Sequence, residues 1–379
     1  MTWSLACSAC GTAASPIVGA TTCPACGQPF FAQYAPVPRD RTLANRWDMW
    51  RYAPWLPLRV GESPVSLGEG LTPLVEAPTL ARAAGVKRLR IKDESRNPTG
   101  SFKARGMSAA ITRAKGDGVP GLVVPTAGNA GAAIAAYAAA AGLPVRVFAP
   151  RTTPRPILET IDALGAHLEC LDGHIGDAGK MAAAFAAESG WWPVATLREP
   201  YRVEGMKTMG FELAEQCGWQ LPDVVVYPTG GGEGTVGIWK AITELIAGGW
   251  LPADTKQPRF VVAQAAGCAP LVRAFVGGAD RAEPWVDPVT YASGLRVPGP
   301  LGDRLLLRIL RETHGVAASA TEEQMREATR RVSEATGIDA APEGGCALAV
   351  LEQLVRDGTV GPDSDVVLFN TGVGSSYRP

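Results

Sequence analysis

Lys103 stands where an amine can do chemistry. It follows Asn97-Pro98-Thr99-Gly100, which is turn chemistry. Ser101 is expected to cap a helix beginning at Phe102. A lysine in the first turn meets the positive end of the helix dipole, where the protonated form is disfavoured. A neutral amine there can attack an aldehyde. A solvated first-turn lysine would satisfy the same pattern, so the rest of the chain must decide between the two.

Three loops, each following an apolar strand-like run, bear on that choice. Ligands of doubly wound sheets bind at the carboxyl ends of the strands. The first loop, Thr126-Ala127-Gly128-Asn129-Ala130-Gly131, leads into a helix. Its free N–H groups suit a carboxylate, and the Asn129 amide suits a ring hydroxyl or carbonyl. The second, Thr229-Gly230-Gly231-Gly232-Glu233-Gly234-Thr235, has four glycines in five positions. Its backbone can close around a phosphate at a helix N-terminus. Gly232, Gly234 and Gly237 also fit the dinucleotide fingerprint, but the loop comes late in the chain and no Walker lysine follows it. A phosphate monoester fits better than NAD or ATP. The third loop is Asn370-Thr371-Gly372, where the Thr371 hydroxyl ends a buried strand and could bond a heterocyclic nitrogen. Lysine, phosphate cradle, amide loop and strand-end hydroxyl together are the parts of a pyridoxal 5′-phosphate site.

Other chemistries find little support. The three histidines, His167, His174 and His314, form no triad pattern, and there is no G-x-S-x-G. Cys7, Cys10, Cys23 and Cys26 make two C-x-x-C pairs separated by twelve residues, with Gly11 and Gly27 just after them. Two such turns are expected to present four thiolates to a tetrahedral structural zinc; disulfides are the alternative, which a cytosolic setting disfavours. The other four cysteines lie scattered in apolar segments.

The elements that must position these groups follow from the alternation of strand and helix patterns after residue 88. That alternation predicts an α/β fold with two lobes of doubly wound parallel sheet. Strands are expected at 88–92, 121–126, 145–149, 167–171, 194–197, 223–227, 259–264 and 365–369. Helices are expected between them and at 301–313, 321–336 and 344–357, the second opened by the capping box Thr321–Gln324. The domains read as a zinc-ribbon-like module at 1–35, an aromatic and proline-rich arm at 36–60, a large lobe from 61–105 and 205–379, and a small lobe at 106–204. The arm can dock on the main body or on a second subunit, which would make a homodimer. With 379 residues, 46% of them hydrophobic, and a net charge of −1, nothing favours nucleic acid or a membrane surface. The N-terminus lacks a secretory pattern, and the apolar stretch 121–150 is broken by glycines, Pro144 and Arg146. A cytoplasmic enzyme acting on a small molecule is expected.

The chain resembles the threonine synthases of the fold type II pyridoxal-phosphate enzymes over essentially its whole length. The resemblance rests on the four-cysteine module, Met49-Trp50-Arg51-Tyr52, Gly68 to Leu74, Lys92-Asp93-Glu94, Asn97 to Lys103, Tyr201 to Thr208, and Asn370-Thr371-Gly372. It implies that Lys103 is the Schiff-base lysine and proton shuttle, with Phe102 beside the ring. Asn129 would bond the 3′-oxygen, Gly230, Gly231, Gly232, Glu233 and Gly234 would hold the phosphate, and Thr371 would bond the ring nitrogen. Thr126, Ala127, Gly128 and Ala130 would meet the substrate carboxylate, and Arg198, Arg202 and Lys207 would offer cations to an acidic substrate. The implied reaction converts O-phosphohomoserine to threonine and phosphate.

The departures from the family pattern are at the substrate end. Ala130 replaces a threonine, Thr196 and Leu197 replace an asparagine and a serine, and Ala104 replaces an aspartate. The 230–234 loop is closer to the tetraglycine loop of serine/threonine dehydratases. Two further enzyme readings therefore stand beside the first: a dehydratase or ammonia-lyase, and a β-replacement enzyme of the cysteate synthase kind. Outside this superfamily, a catalytically silent binding protein and a nicotinamide-dependent dehydrogenase are the alternatives.

Overall fold

The computed structural model describes residues 3–16, 19, 21–35 and 39–378. The first three residues of the expected arm, 36–38, lie outside them.

Two parallel sheets form the body. The larger runs, in spatial order, Val316–Ala320, Arg259–Ala265, Val224–Pro228, Asp365–Asn370, Arg88–Asp93 and Leu74–Glu76. All neighbours are parallel except Leu74–Glu76, which pairs antiparallel at the edge. The smaller runs His167–Leu171, Val145–Pro150, Leu122–Pro125 and Trp192–Pro193, all parallel. Central strands read as unbroken valine runs, such as Val224-Val225-Val226, because helices cover both faces.

The chain steps outward from Val224–Pro228 to Arg259–Ala265 and Val316–Ala320. It then returns to lay Asp365–Asn370 on the other side of Val224–Pro228. The loops leaving these two central strands therefore diverge, and the gap between them is where such sheets bind ligands.

Helix Lys103–Gly116 links the lobes. Its Ala104, Met107, Ala110 and Ile111 pack in one core with Leu122, Val124 and Ile134 of the small lobe. Its start is bridged to the large sheet through Ser101 and Gly372. The boundaries expected at 105/106 and 204/205 both fall inside helices, Lys103–Gly116 and Arg202–Met206; we propose that the crossings lie just outside them. Two other expectations shift. The strand expected at 194–197 is Trp192–Pro193, paired only with Leu122 and Val123, and Leu197 turns away with φ +57°. The helix expected from 203 to 217 divides at Lys207 into Arg202–Met206 and Thr208–Gln216, where the Thr208 hydroxyl takes the Gly205 carbonyl at 2.7 Å.

The N-terminal module is a three-stranded antiparallel sheet of Ala13–Ala14, Trp3–Cys7 and Phe30–Tyr34. Its two C-x-x-C turns repeat one geometry. Gly11 N–H donates to Cys7 O and Gly27 N–H to Cys23 O, with φ of +73° and +71° that only glycine adopts cheaply. The four Sγ atoms lie within 4.8 Å of one another. A buried charge cluster fastens the module to the large lobe. Glu204 accepts from Ala32 N–H at 3.2 Å and from the Tyr34 hydroxyl at 3.0 Å, and Lys240 Nζ donates to Ala32 O at 3.0 Å.

The arm docks on its own chain. Trp50 Nε1 donates to Ser108 Oγ at 2.9 Å, Arg51 pairs with Glu215 at 2.8 Å, and Trp55 stacks edge-on to Trp250. Trp47 alone among the arm's aromatics is largely exposed, at 83%. Among the described residues no helix is long and apolar enough to cross a membrane.

Candidate active site

Lys103 is the first residue of its helix, and Phe102 occupies the cap position. Ser101 does not cap it. Ser101 is extended, with φ −159° and ψ 162°, because it is committed to the bridge with Gly372; Phe102 N–H donates to Thr371 O at 3.1 Å. These two links tie the helix start to the end of the last strand, so Lys103 and Thr371 face one space. The Ser101 hydroxyl is buried without a partner among the described residues.

The space is a cleft at the strand ends, of about 70 Å³. Phe102, Lys103, Asn129, Gly230 to Gly234 and Thr371, nine positions singled out from the sequence, all line it. They come from the ends of strands Leu122–Pro125, Val224–Pro228 and Asp365–Asn370 and from the Lys103 helix. Six lining residues were not foreseen, and three of them bring polar side chains: Tyr227, Glu343 and Tyr377. Glu343 could have been found, since Pro342 at the first position of helix Pro342–Arg356 signals a start two residues before the expected one. Tyr377 had no local signal; it enters from a single turn after the last strand and accepts from Asn129 Nδ2 at 3.3 Å.

The glycine loop is a cradle that side chains would fill. A Cβ on Gly230 would strike Gly294 O, one on Gly232 the Leu306 side chain, and one on Gly234 the Tyr227 hydroxyl. Gly232 also has φ +83°. The backbone N–H groups of Gly230, Gly231 and Gly232 make no hydrogen bond to a described residue outside regular elements. Helix Glu233–Ala247 starts at once, adding its own unpaired N–H groups. Such a concentration of donors suits an anion.

Lys103 Nζ lies 3.7 Å from Glu233 Oε2 and 4.4 Å from the Phe102 ring centre. Burial holds its amine down to about 8, helped by Arg202 and opposed by Glu233. Glu233 Oε2 also accepts from Arg202 Nη2 at 2.7 Å, and both side chains are 1% exposed. Behind them Glu199 accepts from the backbone N–H groups of Tyr201 and Arg202. Burial raises Glu199 to about 8, although Arg202 works against this.

The substrate-end residues divide. Thr126 is nearly buried, and its hydroxyl accepts from Gly128 N–H and Gly131 N–H at 3.1 Å, shaping the 126–131 loop. Gly128 and Ala130 are partly exposed on that loop. Ala127 borders a neighbouring recess with His174 and Arg296. The three cations do not converge. Arg202 is committed to Glu233. Lys207 is a core charge rather than a cleft residue: it is fully buried between Glu204 at 2.6 Å and Glu244 at 2.9 Å. Arg198 is exposed and borders neither recess.

Residues 65–372 match the family described as pyridoxal-phosphate dependent enzyme. The chain belongs to this family. Among the curated members it resembles are the threonine synthase of Methanosarcina acetivorans, 34% identical over 86% of this chain and 79% of that protein. The threonine synthase of Methanocaldococcus jannaschii is 33% identical over 89% of this chain and 83% of its own length. Among solved structures, maize serine racemase superposes with a TM-score of 0.69 at 22% identity, over 80% of this chain and 88% of that one. A fungal L-serine ammonia-lyase from Rhizomucor miehei gives 0.68 at 22%, over 83% and 99%. These structures share the fold of this pyridoxal-phosphate enzyme.

Proposed function

We propose that this pyridoxal-phosphate enzyme is a lyase of the threonine synthase kind, acting on O-phosphohomoserine to give threonine and phosphate. What supports this is the convergence of Lys103, Asn129, the 230–234 loop and Thr371 on one cleft, in a chain one-third identical to threonine synthases over most of its length. When bound, the cofactor supplies an electron sink that acidifies the α and β hydrogens of an attached amino acid.

The chain's own residues supply the rest. Lys103 Nζ would hold the cofactor at its carbonyl carbon and, when free, would carry the α and then the β proton of the substrate. The N–H groups of Gly230 to Gly234 would hold the cofactor phosphate. The Asn129 amide would meet the 3′-oxygen. The Thr371 hydroxyl would meet the ring nitrogen without a charge, which would leave that nitrogen largely unprotonated and favour elimination and replacement over transamination. The 126–131 loop, braced by Thr126, takes the substrate carboxylate at its N–H groups.

The test is a substrate panel with the cofactor-loaded protein. O-Phosphohomoserine is expected to release phosphate and form threonine in equal amounts. A second reading, elimination from a hydroxy or O-activated amino acid, is favoured by the Arg202–Glu233 pair, which leaves the cleft without a free cation from the expected set. If O-phosphohomoserine yields nothing while serine, threonine or O-phosphoserine gives a keto acid or a replacement product, that second reading wins.

We propose further that the cysteine cluster binds structural zinc. Four sulfurs around a tetrahedral zinc at about 2.3 Å stand roughly 3.8 Å apart. The pairs Cys7–Cys26, Cys10–Cys26 and Cys10–Cys23 are 3.4, 3.5 and 3.6 Å apart, a close fit for thiolates drawn around one ion. The purified protein is expected to carry one zinc per chain. Replacing Cys10 and Cys23 by serine should release it, expose residues 3–35 to proteolysis and lower the melting midpoint. Protein that holds no zinc and keeps its midpoint in chelator would exclude the assignment.

A further inference from the structure

Glu233 is out of place in a phosphate cradle. A carboxylate among N–H groups built for an anion competes with that anion, and the neighbouring positions are glycines. Part of the cost is offset where the residue sits: it opens helix Glu233–Ala247, where a negative charge is favoured. Yet the side chain does not turn out to solvent as a helix-start carboxylate ordinarily would. It is 1% exposed and lies in the wall of the cleft. One oxygen, Oε2, is shared between Arg202 at 2.7 Å and Lys103 at 3.7 Å. The other, Oε1, is buried with no partner among the described residues. Arg202 is itself fully buried, its Nε unpaired among the described residues, and Glu233 is the carboxylate it pairs with.

We propose that Glu233 is the positioning residue for the Lys103 amine: locked by Arg202, its carboxylate directs Nζ into the cleft and stabilises the ammonium that forms there. The proposal rests on Lys103 being the cofactor-bearing lysine. When the free amine takes a substrate proton, the C–H bond breaks, an N–H bond forms on Nζ, and the bonding pair stays with the carbon. The ammonium then returns the proton to substrate or leaving group. Glu233 thus opposes the burial that depresses Lys103, so that the amine is neutral often enough to accept a proton and charged long enough to deliver it.

The other groups around Lys103 do not duplicate this role. From the large-sheet strand comes Tyr227 and from the C-terminal turn Tyr377, both phenols pushed well up by burial. From helix Pro342–Arg356 comes Glu343, raised by burial, whose Oε1 accepts from Gly294 N–H at 2.9 Å. Arg202 comes from the helix Arg202–Met206, with Glu199 just before it. Only Glu233 among the described carboxylates pairs with Lys103.

The experiment is competitive labelling of the full-length protein, without added cofactor, by acetic anhydride across pH 6 to 11, read by mass spectrometry on the Lys103 peptide. Glu233→Gln removes the charge that favours the ammonium, so the labelling midpoint is expected to fall by about one pH unit, a tenfold change in the equilibrium. Glu233→Asp keeps the charge one methylene further away and should fall in between; it stands in if the glutamine variant does not fold. In the holoenzyme, the Lys103-dependent limb of the kcat profile should move to lower pH by the same amount, with KM changed less than kcat. A midpoint that does not move, or that rises, overturns the proposal. If wild-type protein develops no absorbance band with pyridoxal phosphate, the cofactor reading fails, and the labelling midpoint still decides whether Glu233 governs the amine.

Discussion

Lys103→Ala is expected to reduce turnover by at least about 10⁴-fold, the loss of both the covalent attachment and the proton carrier. The variant should also lose the absorbance band that wild type develops with pyridoxal phosphate, while its circular dichroism stays unchanged. The same group fixes a pH dependence. The attacking species is the neutral amine, and the Lys103 amine is held down to about 8 by burial and Arg202. Below that value the neutral fraction rises about tenfold per pH unit, and above it the amine is mostly neutral. Capture of the cofactor by empty protein should therefore accelerate tenfold per unit up to about pH 8 and then level off. Stopped-flow absorbance measures it. A rate still climbing steeply at pH 10 would mean that Lys103 behaves as a solvated surface amine. Full turnover in Lys103→Ala would remove it from the chemistry altogether.

Arg105→Ala is expected to destabilise the protein by about 3–5 kcal/mol, although Arg105 touches nothing in the cleft. It is fully buried, two residues beyond Lys103 on the same helix. It holds Glu94 through Nε at 2.7 Å and Nη2 at 2.9 Å, and Glu212 through Nη1 at 2.5 Å and Nη2 at 2.8 Å. Lys92, also fully buried, adds Nζ to Glu212 at 2.8 Å. Two cations thus balance two carboxylates where water cannot help. Removing Arg105 leaves Glu94 buried with no cation and Glu212 with only one. The helix that begins with Lys103 then loses its anchor, so cofactor affinity should fall with stability. Burial works against the charge on Glu212, but Arg105 and Lys92 outweigh it and hold the carboxyl down to about 2. Its folded value is therefore below the roughly 4.3 of an unfolded chain. The corresponding stability is present above about pH 4 and is lost as pH falls towards 2. Urea unfolding at pH 7 and at pH 3 tests both statements. A loss under about 1 kcal/mol at pH 7 would show that the network is not a closed charge set.

Much of the site could be read locally. The turn residues at 97–100 mark the start of the helix that Lys103 opens. Glycine clusters after valine runs mark strand-end loops because few other residues allow those backbone angles or that close approach. The capping box at Thr321 and Gln324 formed as expected, since both of its bonds lie within four residues. The two C-x-x-C turns likewise carry their geometry in five residues each. Where local signals were weak, elements were missed. The strand Val316–Ala320 is mostly small residues and is defined by its pairing with Arg259–Ala265 rather than by propensity. The edge strand Leu74–Glu76 is three residues long and exists by pairing with Arg88–Asp93. Ser101 was assigned a cap because its type suits one, whereas its backbone is taken by Gly372 from the far end of the chain.

By itself, then, the sequence determined which lysine, which glycine loop and which strand-end groups this chain brings to the cleft, because backbone conformation over a few residues is a local property. Only the tertiary structure decided what each charge does. Arg202, Lys207 and Arg198 look alike in the chain, and each could face an acidic substrate. One is locked to a carboxylate thirty-one positions away, one is a core charge between two glutamates, and one is exposed. Charge pairing is set by distance in space and by exclusion of water, neither of which is written in sequence spacing. The same reason gives Lys103 its sharper description: its type and helix position are local, while the carboxylate that faces it is delivered by the fold.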